Sequence, residues 1–177
     1  MKIFLSSKLT PQKNKAVLVC FFSDEKKGHP YLGTLPPKDA EYLGAVLKHD
    51  FTTVQEKFRE VHLPSNADHL IVFANLGKKG SWDEKKFTLF TRKTIVYMKD
   101  RRIKTISVFL DDCATKTLNH ETLLRLFAEN ALMADCTFSK YKEAPKDGWP
   151  EVKEIELVIS DAKNAGFAKA LNDGNKK

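Results

Sequence analysis

Residues 103–133, IKTISVFLDDCATKTLNHETLLRLFAENALM, decide the fold. Residues 103–110 read as a strand, with Asp111 and Asp112 at its carboxyl end. A helix over 120–133 follows. Leu124, Phe127, Ala128, Ala131 and Leu132 recur at i, i+3, i+4, i+7 and i+8, which places them on one face. Asn119 is its N-cap, and Glu121 sits in the first turn, where the helix dipole favours an anion.

The same alternation extends towards the N-terminus. Residues 81–99 form a long helix, capped by Ser81, with Phe87, Phe90, Thr94, Tyr97 and Met98 facing inward. Before it, residues 59–63 and 69–76 read as two strands of a hairpin, separated by a turn over 65–68. Residues 38–49 form a helix with Tyr42, Leu43, Val46 and Leu47 apolar. Residues 23–37, punctuated by Gly28, Pro30, Gly33, Pro36 and Pro37, form a loop. Residues 16–22, AVLVCFF, are continuously apolar, as in a strand covered on both faces. Residues 1–5 supply a first strand. Residues 151–160 supply the last, with Val152, Ile155, Leu157 and Ile159 apolar, and a helical piece over 161–171 follows. Strands at both ends, with helices alternating with strands between, predict a three-layer α/β/α sandwich around a mixed sheet.

A chain of 177 residues, 42% hydrophobic and 30% charged, forms one soluble globular domain with a substantial core. No apolar run approaches the roughly 18 residues of a membrane helix, so no membrane partner is expected. The first apolar run breaks at Ser6, Ser7 and Lys8, too early for a secretory signal. Cys20, Cys113 and Cys136 are odd in number, widely spaced and without a C-x-x-C pattern. That argues against a disulfide framework or structural zinc site. It predicts small buried or half-buried thiols in a reducing, cytoplasmic setting.

The net charge of +7 gathers between residues 78 and 104. Lys78, Lys79, Lys85, Lys86, Arg92, Lys93, Lys99, Arg101, Arg102 and Lys104 stand there against Asp83, Glu84 and Asp100. A solvated helix face is the simpler reading, and a nucleic-acid surface is the alternative. The histidines His29, His49, His62, His69 and His120 form no H-E-x-x-H pattern. His62 and His69 flank the predicted turn but bring no further metal ligands. Asp111 and Asp112 occupy the strand end where α/β sheets often bind ligands, yet no partner is evident in sequence. Gly77, Lys78, Lys79 and Gly80 lie between a strand and a helix N-terminus, but match no phosphate-binding fingerprint. No G-x-S-x-G elbow occurs, and Ser7, Ser23 and Ser65 fall in turns. No catalytic, cofactor-binding or metal-ligating residue is therefore assigned.

Residues 129–142, ENALMADCTFSKYK, lead the 120–133 helix into an aromatic and basic exit. This order resembles the leucyl aminopeptidase (cytosol aminopeptidase) family. There the last helix of the N-terminal domain carries an E-G-A-x-L-x-x-Y-x-F-x-x-Y-K-like run. Glu129, Ala131, Leu132, Phe138, Tyr141 and Lys142 match it, while Asn130 replaces a glycine and Cys136 a tyrosine. A G-L-G-K-like run at a strand end is matched by Leu76, Gly77 and Lys78, with Asn75 in place of the first glycine. The likeness covers nearly the whole chain, is strongest over 61–142, and is thin before residue 38.

The resemblance implies a macro-domain-like fold and a non-catalytic role. Residues 1–160 would be the N-terminal domain, and 161–177 the start of the linker helix to an absent catalytic domain. Family members remove N-terminal residues, often leucine, using two divalent metals, zinc or manganese, held in the C-terminal domain. That domain's N-T-D-A-E-G-R-like run is absent here, and the C-terminal Gly174, Asn175, Lys176 and Lys177 look like a cut. The family's enzymes assemble as hexamers with these domains outermost, in a scaffolding role. The rival expectations are an ADP-ribose- or nucleotide-binding module, and a nucleic-acid-binding domain.

Overall fold

The apolar strand AVLVCF becomes the centre of a six-stranded sheet. The computed structural model describes residues 1–9, 15–25, 29–50, 58–136, 143 and 146–175. Its strands are β1 (Lys2–Ser6), β2 (Ala16–Phe21), β3 (Phe58–Leu63), β4 (Asn66–Asn75), β5 (Thr105–Phe109) and β6 (Glu154–Val158). They lie in the order β1-β6-β5-β2-β4-β3. All neighbours are parallel except β3, which runs antiparallel to β4 at one edge. Only two residues, Pro64 and Ser65, join β3 to β4, and so short a link permits only an antiparallel pair. Ala16 to Cys20 on β2 are all buried, as expected of a strand covered on both faces.

The period-2 alternation of the strands sorts the core into two layers. Leu18, Cys20, Val72, Ala74, Ile106, Val108, Ile155 and Leu157 face the larger one. It is closed by α2 (Glu84–Asp100), α3 (His120–Asp135) and α4 (Ala165–Asn175). Val17, Val19, Val61, Leu63, Ile71 and Phe73 face the smaller one, closed by Leu43 of α1 (Pro37–Asp50) and by Tyr31. The result is the expected three-layer sandwich around a mixed sheet.

Several element ends differ from the sequence reading. Asp83, not Ser81, caps α2, its Oδ1 accepting the Lys86 N–H at 2.8 Å. Ser81 ends a separate 3-10 turn, Lys79–Ser81. Arg101 is the C-cap of α2, and the left-handed Arg102 just beyond it (φ 54°) ends the helix, with the Ile103 N–H bonding to the Met98 carbonyl at 2.8 Å. Asn119 caps α3 as expected, accepting the Thr122 N–H at 2.9 Å. The 23–37 loop contains a 3-10 helix, Pro30–Thr34. Helix α4 continues past Leu171 to Asn175, since Gly174 lets it lie close against α3. Glu156, between the apolar Ile155 and Leu157 of β6, is fully buried. The sheet is covered on both faces there. Lys15 (2% exposed) meets Glu156 at 2.6 Å, and the Ser107 hydroxyl donates to the same carboxylate oxygen at 2.6 Å. Phe138, Tyr141 and Lys142 of the quoted run lie outside the described residues.

Candidate functional site

Parallel packing brings the carboxyl ends of β2, β4, β5 and β6 to one end of the sheet, where α/β folds place ligand sites. Asp112 sits there, in the 3-10 turn Leu110–Cys113 that follows β5. Its Oδ2 accepts the Cys20 N–H at 3.2 Å and lies 2.7 Å from His29 Nε2. His29 Nδ1 accepts the Tyr31 N–H at 3.1 Å. A nitrogen that accepts carries no proton, so Nε2 holds the proton and donates it to Asp112. Burial pushes the Asp112 carboxyl above its usual range, opposed by His29 and by the Cys20 amide.

Asp111 faces other partners. Its Oδ2 accepts the Ser160 N–H at 2.9 Å and the Ser160 hydroxyl at 2.5 Å. His120 Nε2 lies 2.7 Å from Asp111 Oδ1, a close approach without hydrogen-bond alignment. The adjacent aspartates thus staple different elements: Asp112 joins β5 to β2 and the His29 loop, while Asp111 joins β5 to the segment after β6. The glycine-lysine loop is closed in the same way. Asn75 Oδ1 accepts the Gly77 N–H at 2.9 Å, and Asp24 Oδ1 accepts the Lys79 N–H at 3.0 Å. An amide already bonded to a carboxylate is not free to bind a phosphate.

Tyr31 extends the His29 loop over the α1 side of the sheet. Its ring lies 5.6 Å from Phe109 and stacks 6.4 Å from His69, and its hydroxyl is 2.6 Å from His69 Nε2. Burial raises the Tyr31 phenol to about 12 and lowers His69. Asp39 of α1 binds the hairpin turn through the Ser65 N–H at 3.2 Å and the Ser65 hydroxyl. His62 and His69 do not meet. His62 pairs with Leu70, whose side chain packs against the larger core, and one residue of offset puts His69 on the opposite face.

Chemically, this constellation holds elements together. Both ring nitrogens of His29 are engaged, so it cannot relay a proton to a substrate. Cys20 and Cys113 are buried free thiols, and Cys136 is exposed, contrary to the expected burial. Burial, then contact with Cys113, pushes the Cys20 thiol well above its ordinary value, the reverse of nucleophile activation. Among the described residues no group of three or more His, Cys, Asp or Glu side chains could share a metal ion. No described helix is long and apolar enough to cross a membrane.

Much of the basic stretch is paired within the fold. Lys79 meets Glu25 at 2.6 Å, Lys99 donates to the Asp135 carbonyl at 2.8 Å, and Arg101 lies 3.1 Å from Glu60. Arg92 donates to Asn130 Oδ1 at 2.8 Å, and Asn130 Nδ2 donates to the Leu126 carbonyl at 2.8 Å. Asn130 and Asn75, two departures from the family pattern, are therefore buried polar struts. Sequence reasoning missed the His29–Asp112 and Tyr31–His69 pairs. The only available signal was a histidine preceding proline in the loop after β2.

These features define an α/β domain whose strand ends are tied to one another. The model of the N-terminal domain of the cytosol aminopeptidase family matches residues 37–145, and the chain belongs to that family. Among solved structures it is similar to a tomato leucine aminopeptidase mutant, K354E. The TM-score is 0.71 and the identity 12%, over 98% of this chain and 35% of that one. It is also similar to the bottromycin maturation enzyme BotP in complex with Mn. There the TM-score is 0.59 and the identity 11%, over 92% of this chain and 29% of that one. The chain thus spans about a third of the length of the solved structures it matches. No curated sequence matches it.

Proposed function

We propose that this chain is the non-catalytic, scaffolding N-terminal domain of a metal-dependent leucyl aminopeptidase. Its partner is a C-terminal catalytic domain of the same polypeptide. The whole assembles as a cytoplasmic homo-hexamer with these macro-like domains outermost. Residues 1–160 form the domain proper, and 161–177 begin the linker helix. The family match over 37–145 carries this reading. The tied-off strand ends support it, because candidate acids and bases there are committed to struts.

The family's pair of divalent ions, zinc or manganese, does not fit the described residues, which lack a shared donor set. No metal-dependent step is assigned to this chain, and the ions belong on this reading to the catalytic domain. The rival readings have less support. An ADP-ribose site would need the amides that Asp112 and Asp24 occupy. A nucleic-acid surface would need the cations that Glu25, Asp135 and Glu60 neutralise.

The test is hydrolysis of leucine p-nitroanilide by this chain, with and without manganese or zinc. The expected outcome is no turnover above buffer. Sustained turnover by homogeneous protein would overturn the reading.

A further inference from the structure

The thiols of Cys20 and Cys113 take no part in the struts at the strand ends, yet they share one place. Leu18 of β2 pairs with Val108 of β5, and both face the larger core. Two residues further along β2, Cys20 repeats that orientation. Beyond β5 the chain folds into the turn Leu110–Cys113, which returns Cys113 to the same core. The Cys20 N–H donates to Asp112, the residue before Cys113, at 3.2 Å. The two thiols are in contact. Both are free, and they are 2% and 0% exposed.

A thiol pair held in this way differs from two separate small hydrophobes. Oxidation of a lone buried thiol adds oxygen atoms for which a packed core has no room. Oxidation of a touching pair removes two hydrogens and draws two sulfurs together. We infer that Cys20 and Cys113 form a two-electron redox site, which a hydroperoxide converts into a disulfide latch between β2 and the turn after β5. One thiolate attacks the peroxide's terminal oxygen and breaks the O–O bond. A sulfenic acid forms, and the other oxygen takes up a proton and leaves as water, or as an alcohol from an organic peroxide. The second thiolate attacks the sulfenic sulfur, the S–S bond forms, and the sulfenic oxygen leaves as water. The two thiols lose two protons and two electrons, and the peroxide gains both.

The packed site is slow to react. Burial, then contact with Cys113, pushes the Cys20 thiol well above its ordinary value, so little thiolate exists there while the strand end is closed. Oxidation therefore proceeds through local opening of the turn after β5, and the new bond fixes that turn against β2. The loop it closes is long, so it removes much freedom from the unfolded chain. The latch acts on a loosened fold and leaves a sound one alone.

The test uses the full chain with Cys136→Ser, which removes the exposed thiol at the end of α3. The protein is treated with hydrogen peroxide in native buffer. Its intact mass should fall by that of two hydrogens, proteolysis should release a linked peptide containing Cys20 and Cys113, and dithiothreitol should reverse both changes. The oxidised chain should unfold at a urea concentration about 1 M higher than the reduced chain. Adding Cys113→Ala should abolish that rise. Thiols that both stay reduced would overturn the inference, as would sulfinic or sulfonic acid in place of the linkage. So would a bond that forms only beyond the unfolding transition, one that lowers the midpoint, or a rise that survives Cys113→Ala.

Discussion

Asp112 receives two hydrogen bonds through one oxygen, from His29 and from the Cys20 amide. Truncation and neutralisation should therefore behave differently. Asp112→Ala leaves two buried donors without an acceptor, and should cost about 1–3 kcal/mol in urea denaturation. Asp112→Asn keeps a carbonyl oxygen for both and removes a charge that burial disfavours. It should stay within about 1 kcal/mol of the parent. Equal losses for both would mean that the charge itself, and not the acceptor, holds the His29 loop. The sequence marked Asp112 as a residue at a strand end but concealed its partner. His29 reaches it from a different loop, and only the adjacency of β2 and β5 brings the two loops together. Glu156 was concealed for a related reason: polar alternation looks the same whether the far face meets water or a buried lysine.

Helix α3 was the most legible element, because its cap and its apolar stripe agree on start and face. Helix α2 was legible in its face but not in its first turn. Ser81 and Asp83 both have capping chemistry, and only the intervening 3-10 turn selects Asp83. The end of α4 was misread because Asn172, Asp173 and Gly174 look like a terminating run. Packing overrides that local signal. A Cβ on Gly174 would stand 2.7 Å from both the Ala128 Cβ and the Arg125 carbonyl oxygen. Gly174→Ala gains about 1 kcal/mol of helix propensity but pays roughly 1–3 kcal/mol in overpacking. The net expectation is a lower thermal midpoint. An unchanged or raised midpoint would show that α4 can slide on α3 at no cost.

At the scale of the whole molecule, the layers were legible from composition and alternation, whereas the strand order β1-β6-β5-β2-β4-β3 was not, because no local signal encodes which strands become neighbours. The fold also responds to acid. Burial lowers His69 in the folded state, with Asp39 pulling the other way. The unfolded chain then binds more protons than the folded one. Stability is full above about pH 6.5 and declines as pH falls through the lowered value. Asp112, raised by burial, works in the opposite sense: protonation relieves its cost as pH falls towards its ordinary range near 3.8. Urea midpoints should therefore fall between about pH 7.5 and 5.5, and His69→Gln should flatten that slope. An identical slope in the variant would assign the response to another group. Finally, β1 hydrogen-bonds to a single neighbour among the described strands, β6, about 150 residues further along the chain. On a ribosome, β1 must wait for β6 before it can be seated. Until then it is an unpaired strand open to other nascent chains, so the interval before β6 follows it is when the growing chain is prone to misassociate through β1.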